Sequence, residues 1–179
     1  MKALHTLLKT NDSLAGFIAR IALGTVMFPH GAQKALGWFG GYGFHGTMGF
    51  FTGQMHILPL FAFLAIAAEF AGSIGLITGF LSRVAAFGIA VNMVVATLFV
   101  HGANGFFMNW YGNQKGEGFE YHLLTLGLSV AVILAGAGKW SIDSVLSRRL
   151  ESIQTANSKT ATAMVGSPDL AKLATKSNP

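Results

Sequence analysis

Two ionisable side chains lie inside long apolar segments of the sequence, where a charge needs a partner. Arg20 follows "SLAGFIA", and Glu69 lies between "LAIAA" and "FAGSIGLI". A charge at the centre of a bilayer costs about 2.5–3.5 kcal/mol even on the translocon-insertion scale. At about 1.5 Å of rise per residue, Glu69 falls near the middle of its segment and Arg20 about one turn to the cytoplasmic side of the middle of its own, a gap that a long arginine side chain can bridge. We therefore predict an intramembrane pair of Arg20 and Glu69, which either acts catalytically as a proton relay or only fixes the helix register.

A second group of polar residues falls at the ends of the apolar segments. His30 and Lys34 are four residues apart, so a continuing helix places them on one face, although Lys34 could equally extend to the membrane interface. Glu120 and His122 are two residues apart and face different ways, so we predict no metal site from them. Imidazole can bind metal or haem, carry protons or hydrogen-bond a quinone carbonyl. The candidate cofactor-binding residues are His30, Lys34, His101, Glu120 and His122.

Other polar and aromatic residues in these regions have simpler interpretations. His45 and His56 lie in a loop without ligand spacing, so we expect them to form interfacial hydrogen bonds. Asn92 lies within an apolar segment and is predicted to make an interhelical hydrogen bond. Six aromatic residues in the loops are typical of a membrane-interface belt, and alternatively would roof a hydrophobic ligand site. These are Trp38, Phe39, Phe106, Phe107, Trp110 and Tyr111.

The composition indicates a chain that lies in lipid. Of its 179 residues 52% are hydrophobic and only 11% are charged, with a mean hydropathy of +0.53, whereas soluble domains are roughly a quarter charged. The chain has no cysteine, which excludes disulfides, thiolate metal sites and thiol redox chemistry. The net charge of +5 is scattered over segment ends and forms no basic patch, so nucleic acid is not an expected partner.

Four segments are long and apolar enough to cross a membrane as helices of about 20 residues. Their approximate limits are 14–31, 58–80, 84–100 and 121–138. Ser13 is a plausible N-cap of the first, and Pro59 suits the first turn of the second. Because backbone groups in lipid must be satisfied internally, the predicted fold class is all-α, a four-helix transmembrane bundle.

The basic residues predict the orientation of this bundle. Lysines precede the first segment, Arg83 lies in the turn after the second, and six basic residues follow the fourth, so both termini are predicted to be cytoplasmic. "WSIDSVLSRRL" is typical of a short interfacial helix that Ser141 would cap. The remaining sequence lacks periodicity and predicts a disordered tail. The predicted organisation is a membrane domain over 1–150 and a cytoplasmic tail over 151–179.

The order and spacing of several motifs resemble the DoxX family of small bacterial inner-membrane proteins. The matching stretches run through most of residues 16–143. They are "ARIALGTVMFPHGAQKALG", "AEFAGSIGLITGFLSR", "ATLFVHG" and "EYHLLTLGLSVAVILAGAGKWSID". The resemblance implies a four-helix protein of the bacterial inner membrane. Its relatives have been linked to quinone-dependent oxidation, as in a thiosulfate:quinone oxidoreductase or a terminal quinol oxidase subunit, and elsewhere to oxidative-stress assemblies or aromatic-compound pathways.

Three functions remain open at this point. The leading hypothesis is a redox-associated inner-membrane subunit that binds a quinone, or less favourably a haem, and works with a soluble or membrane redox partner in an oligomer or complex. The chain has neither cysteines for an iron–sulfur cluster nor a haem-attachment motif, so electrons would pass through such a group or partner. The alternatives are a non-catalytic membrane scaffold for soluble enzymes and a small-molecule transporter, for which intramembrane charges are equally suggestive.

Overall fold

The regular structure of the chain is helical throughout the residues described. The computed structural model describes the backbone of residues 2–165 and the side chains of residues 5–156 and 158. This confirms the predicted all-α class. The α-helices of this region are α1 (Lys2–Leu8), α2 (Leu14–Leu36), α3 (Gly43–Gly49), α4 (Pro59–Thr78), α5 (Ser82–Ala96), α6 (Glu120–Ala135) and α7 (Ile142–Val165). Short 3₁₀ turns lie at Trp38–Gly40 and Gly102–Asn104, and π-helical turns at Phe50–Gln54 and Thr97–His101.

The sequence signals for the helix ends are confirmed. The Ser13 hydroxyl accepts a hydrogen bond from the Gly16 backbone N–H at 3.2 Å and so caps α2. Pro59 occupies the first turn of α4. The Ser141 hydroxyl accepts from the Ser144 N–H at 3.2 Å at the start of α7. Each cap satisfies a backbone donor that the first helical turn leaves unpaired.

Three helical stretches of the described region are long and apolar enough to cross a membrane. They are Leu14–Leu36, Pro59–Thr78 and Ser82–Asn104. The fourth predicted span corresponds to α6, an apolar helix of 16 residues. At about 1.5 Å per residue α6 is roughly 24 Å long, below the roughly 30 Å thickness of the hydrocarbon core. The length criterion therefore supports three of the four predicted spans.

The four long apolar helices run alternately up and down. Helix α2 contacts α4 and α6, and α5 contacts α4 and α6. The buried core between them consists of Leu23, Met27, Leu76, Ala86, Ile89, Met93 and Val132. One end of this bundle, here called the cavity end, holds the C terminus of α2 and the N terminus of α6. The opposite end holds α1, α7 and the turn between α4 and α5, and exposed apolar side chains cover the flanks.

Helices α2 and α4 approach each other most closely at Gly31. A Cβ atom built on Gly31 would lie 2.6 Å from backbone atoms of Glu69 and Phe70, closer than any side chain allows. Gly24, two turns earlier, would place a Cβ 3.0 Å from Leu76 and Ile77. Small residues at such crossings let membrane helices pack backbone to backbone. This contact fixes the register of α2 against α4.

Helix α7 extends further than the sequence predicts. It continues to Val165, so residues 151–165, assigned to the disordered tail, have helical backbone. Residues 166–179 of that tail lie outside the described residues. α7 begins beside the turn between α4 and α5, where the Asp143 carboxylate accepts hydrogen bonds from the N–H groups of Leu81 and Ser82 at 2.8 and 2.9 Å. The Asp143 carboxylate of α7 therefore caps the N terminus of α5.

We expect Gly31→Ala to lower the free energy of unfolding by about 1–3 kcal/mol, the usual cost of overpacking. The added methyl group would force α2 away from the backbone of α4. Gly127→Ala in α6 is the matched control, because a Cβ at Gly127 meets no atom within 4 Å, and there alanine improves helix propensity by about 0.5–1 kcal/mol. Thermal unfolding in detergent measures both, and equal melting temperatures for the two variants would contradict the close contact.

Candidate functional site

The cavity end of the bundle encloses a cavity of about 310 Å³ between α2, α4, α5 and the start of α6. Its other walls are the segment 50–57, which contains the π-helical turn after α3, and Met108 and Glu117 of the loop before α6. The lining is mostly apolar, with a few polar groups that converge on it, the arrangement usual for small-molecule sites. Its volume lies at the lower end of the range of about 300–1,000 Å³ for ligand pockets.

An ion pair forms one wall of this cavity. The Lys34 Nζ lies 2.6 Å from the Glu69 Oε2, and the Glu69 side chain is only 8% exposed. Asn92 of α5 donates from its Nδ2 to the Ala65 carbonyl at 2.8 Å and lies 3.5 Å from the Glu69 Oε1. The predicted interhelical hydrogen bond of Asn92 is therefore confirmed. Both oxygens of the buried carboxylate therefore face donors from other helices.

Two imidazoles, those of His101 and His122, contact each other in the cavity lining. The ring centres of His101 and His122 are 4.2 Å apart. The His101 Nδ1 lies 2.9 Å from the carbonyl oxygen of Glu117; because a carbonyl only accepts, Nδ1 must donate, and the Nε2 of neutral His101 is left as an acceptor. His122 is 6% exposed, and its Nδ1 is buried without a hydrogen-bond partner. An orphaned buried nitrogen in a cavity wall indicates a site for a ligand.

His30 belongs to the same cavity but lies at its rim. It is exposed, and its ring centre is 5.8 Å from that of Tyr121. Tyr121 donates its hydroxyl to the Met27 sulfur at 3.3 Å. Among the predicted cofactor-binding residues, the structure thus brings His30, Lys34, His101 and His122 to one cavity. In the region that the structure describes, no three metal-ligating side chains are placed to hold a metal ion.

Glu120 does not line this cavity. Its Oε1 accepts hydrogen bonds from the Met108 N–H at 2.9 Å and the Trp110 Nε1 at 3.2 Å. Glu117 similarly accepts from the Asn109 N–H at 2.6 Å. The two carboxylates therefore organise the loop before α6. The separation of Glu120 from His122 follows from the helix geometry, which turns residues i and i+2 to different faces.

Arg20 lies at the opposite end of the bundle, and its predicted pair with Glu69 is wrong. Arg20 is fully buried, and its guanidinium donates to the carbonyls of Leu76 and Ile77 at 2.5 and 2.8 Å. It also donates to Ala137 at 2.8 Å and lies within 3.3 Å of the carbonyls of residues 139 and 140. The guanidinium thus satisfies backbone acceptors at the ends of α4 and α6. This contact set supports a structural position for Arg20, remote from the cavity.

The reason for the wrong pair is the register of α2. Gly31 lies beside Glu69, and Arg20 is eleven residues earlier, about 16 Å along the helix axis. Lys34 is less than one turn beyond Gly31 and reaches the carboxylate easily. The predicted first span ends at residue 31, whereas α2 continues to Leu36 with Pro29 inside it. A longer first span places Lys34 within the bundle.

Some residues of the site escaped the sequence analysis. Phe50, Phe51 and Met55 line the cavity, although their loop was assigned no ligand role. The six aromatic residues assigned to the belt do not line it, and all six are exposed. The aromatic wall therefore comes from the π-helical turn after α3. A glycine-rich loop with adjacent phenylalanines was the available signal, but the sequence does not say which of its aromatic rings turn inward.

The comparison with known families agrees with the arrangement of the first three long helices. A family model described as DoxX matches residues 15–102. The match is consistent with a membrane protein of the DoxX family. No curated protein and no solved structure matches it. The DoxX match covers α2, α4 and α5 and so includes Lys34, Glu69 and His101, whereas His122 on α6 lies beyond it.

We expect Arg20→Met to destabilise the protein by about 3–5 kcal/mol, because several buried backbone carbonyls lose their donor at a cost of about 1–3 kcal/mol each. The free energy of unfolding of Arg20→Lys should lie between those of Arg20→Met and the wild type, because lysine keeps the charge but has fewer hydrogen-bond donors. Arg149→Met, at an exposed arginine of α7, is the control, with an expected change within about 0.5 kcal/mol. Unfolding curves in detergent give the comparison; an Arg20→Met protein as stable as the control would refute the capping role.

Proposed function

We propose that this DoxX-family membrane protein binds a quinone head group in the cavity and serves as a redox-associated subunit. The observation that carries the proposal is an apolar cavity lined by the Lys34–Glu69 ion pair and by two imidazoles, of which His122 has a buried Nδ1 without a hydrogen-bond partner. A planar ring with polar oxygens suits such a site, because apolar walls enclose the ring and a few fixed groups orient the oxygens. The cavity volume of about 310 Å³ suits a head group without its tail.

The chain's own residues supply complementary hydrogen-bonding groups on two walls. Lys34 presents an ammonium whose charge Glu69 balances, and this donor would hold a carbonyl oxygen. His101 presents an Nε2 acceptor and His122 a free Nδ1, and together these would hold an oxygen in either its carbonyl or its hydroxyl form. A bound quinone supplies two-electron, two-proton chemistry. The imidazoles supply the ring nitrogens of this wall that can donate or accept a hydrogen bond.

The geometry of the histidine pair disfavours haem as the ligand. Two axial imidazole nitrogens on opposite sides of one metal are separated by twice a metal–nitrogen bond of about 2.0–2.1 Å, and their ring centres lie further apart still. The centres of His101 and His122 are only 4.2 Å apart and the rings are tilted by 39°. The two rings are therefore too close together to hold one metal ion between them.

A redox function also requires a partner. In the described region the cavity lacks a metal-ligand cluster, and the sequence has no cysteine, so electrons must arrive from or leave to another protein. The proposed assembly is a complex with a soluble or membrane redox protein. The loop 105–119, which two carboxylates organise beside the cavity, is the available surface at that end.

We further propose that α6 is a fourth membrane span and that both termini are cytoplasmic in a bacterial inner membrane. Four apolar side chains of α6 are exposed as lipid-facing residues would be, namely Leu123, Leu124, Val130 and Leu134. Basic residues concentrate before α2, beside α5 and after α6, at the end opposite the cavity, which the positive-inside rule assigns to the cytoplasm. The cavity would then face the periplasm.

Quinone binding is tested with the purified full chain in lipid nanodiscs. We expect saturable binding of ubiquinone, and His122→Phe should weaken it by about tenfold or more, since the loss of one hydrogen bond costs roughly 1.4 kcal/mol. His45→Phe is the matched control, because His45 is exposed in α3 and does not line the cavity. Extraction and quantification of bound quinone give the result, and absence of saturable binding to the wild type would overturn the proposal.

The orientation is tested by cysteine labelling, for which a chain without cysteine is a clean background. In intact spheroplasts a membrane-impermeant maleimide should label Asn113→Cys in the loop before α6. It should label Ser152→Cys in α7 only after permeabilisation. Labelling of both sites in intact cells would contradict the fourth span, and the reverse pattern would contradict the assigned orientation.

A further inference from the structure

The rim of the cavity has two chemically different parts. On one part lie His30 and Glu117, both exposed and polar. On the other lie Phe50, Val95 and Val100, which line the cavity and are also 50%, 37% and 43% exposed. An apolar side chain that both lines a cavity and reaches the outer surface marks a place where the interior meets the surroundings. The cavity therefore has a polar rim and an apolar rim.

The apolar rim lies on the lipid-facing flank of the bundle. Val95 and Val100 belong to the continuous apolar stretch Ser82–Asn104. The neighbouring side chains Leu98 and Phe99 are strongly exposed, as expected for residues that contact acyl chains. Both valines belong to a stretch that is long and apolar enough to cross a membrane, so in a bilayer an opening beside them would face the hydrocarbon region.

Two π-helical turns contribute residues to the apolar rim. Phe50 begins the turn Phe50–Gln54, and Val100 lies in the turn Thr97–His101. A π turn inserts a residue into a helix, interrupts its regular side-chain pattern and is frequent at functional sites. The Oγ1 of Thr97 in the second turn is buried without a partner. Two such turns in the lining of one cavity indicate a built feature of that cavity.

We infer that the opening between Phe50 and the Val95–Val100 segment is a lateral portal, through which the ligand enters from the bilayer and its apolar tail leaves the site. This inference rests on the proposed function. It narrows the ligand class to ring compounds with a long hydrocarbon tail, because the cavity of about 310 Å³ accommodates a head group and the portal passes only an apolar chain. The polar rim remains for the exchange of protons or small polar molecules with water.

Two adjacent valines provide a matched test of the portal. Val95 lines the cavity, whereas Val94 is 44% exposed on α5 and does not. In nanodiscs, Val95→Trp should weaken binding of ubiquinone with its full isoprenoid tail by about tenfold or more. The loss of affinity for the tail-less dimethoxy-methyl-benzoquinone should be smaller by a factor of about three or more, roughly 0.7 kcal/mol. Val94→Trp should leave both affinities unchanged.

The outcomes separate the portal from the proposed function. If the wild type binds neither quinone, both fail. If the wild type binds, and Val95→Trp weakens both quinones equally or neither, the head-group site stands and the portal is wrong. Size-exclusion profiles and melting temperatures of the two variants establish that they fold alike.

A second measurement needs no variant. A ubiquinone analogue with a photoreactive group on its tail is bound to the wild-type protein, irradiated and mapped by peptide mass spectrometry. The portal requires crosslinks in residues 50–57 and 95–100 that excess unlabelled ubiquinone suppresses. Suppressible crosslinks in the loop 105–119 would instead place the tail at the polar rim and overturn the inference. Crosslinks that excess ubiquinone does not suppress indicate contact with bulk lipid only, and they would overturn it as well.

Discussion

The backbone contact of α2 with α4 at Gly31 is the constraint on which the rest of the site depends. With the two backbones this close, Lys34 lies beside Glu69 and the pair closes to 2.6 Å. A buried carboxylate without a partner would cost several kcal/mol or take up a proton. The register therefore decides whether the cavity wall carries a balanced pair or an isolated acid.

The buried charges divide the bundle into two ends with different tasks. At one end the fully buried Arg20 bonds only to backbone carbonyls within the described region, and Asp143 bonds to backbone N–H groups nearby. Those bonds join helix ends to one another. At the other end, charged and imidazole side chains bond to one another or remain unpaired. Polar groups that the fold does not consume are the ones available for chemistry.

Much of this arrangement was predictable from the sequence, for identifiable reasons. Long apolar segments and the caps at Ser13 and Pro59 are local signals, and they located the helices to within a few residues. The partner of Glu69 is a tertiary property: it depends on which glycine of α2 meets α4, and several glycines of that helix were candidates. The meeting of His101 with His122 depends in addition on the π turn before His101, which hydrophobic periodicity does not reveal.

The π turn Thr97–His101 has a consequence for how this protein can vary. Regular helix advances by about 100° per residue, so the wider turn rotates His101 out of phase with the lipid-facing stripe of α5. The direction of the imidazole is thereby uncoupled from the pattern that keeps α5 in the bilayer. Substitutions along that stripe can therefore adapt the protein to membranes of different composition without changing the direction of the His101 ring.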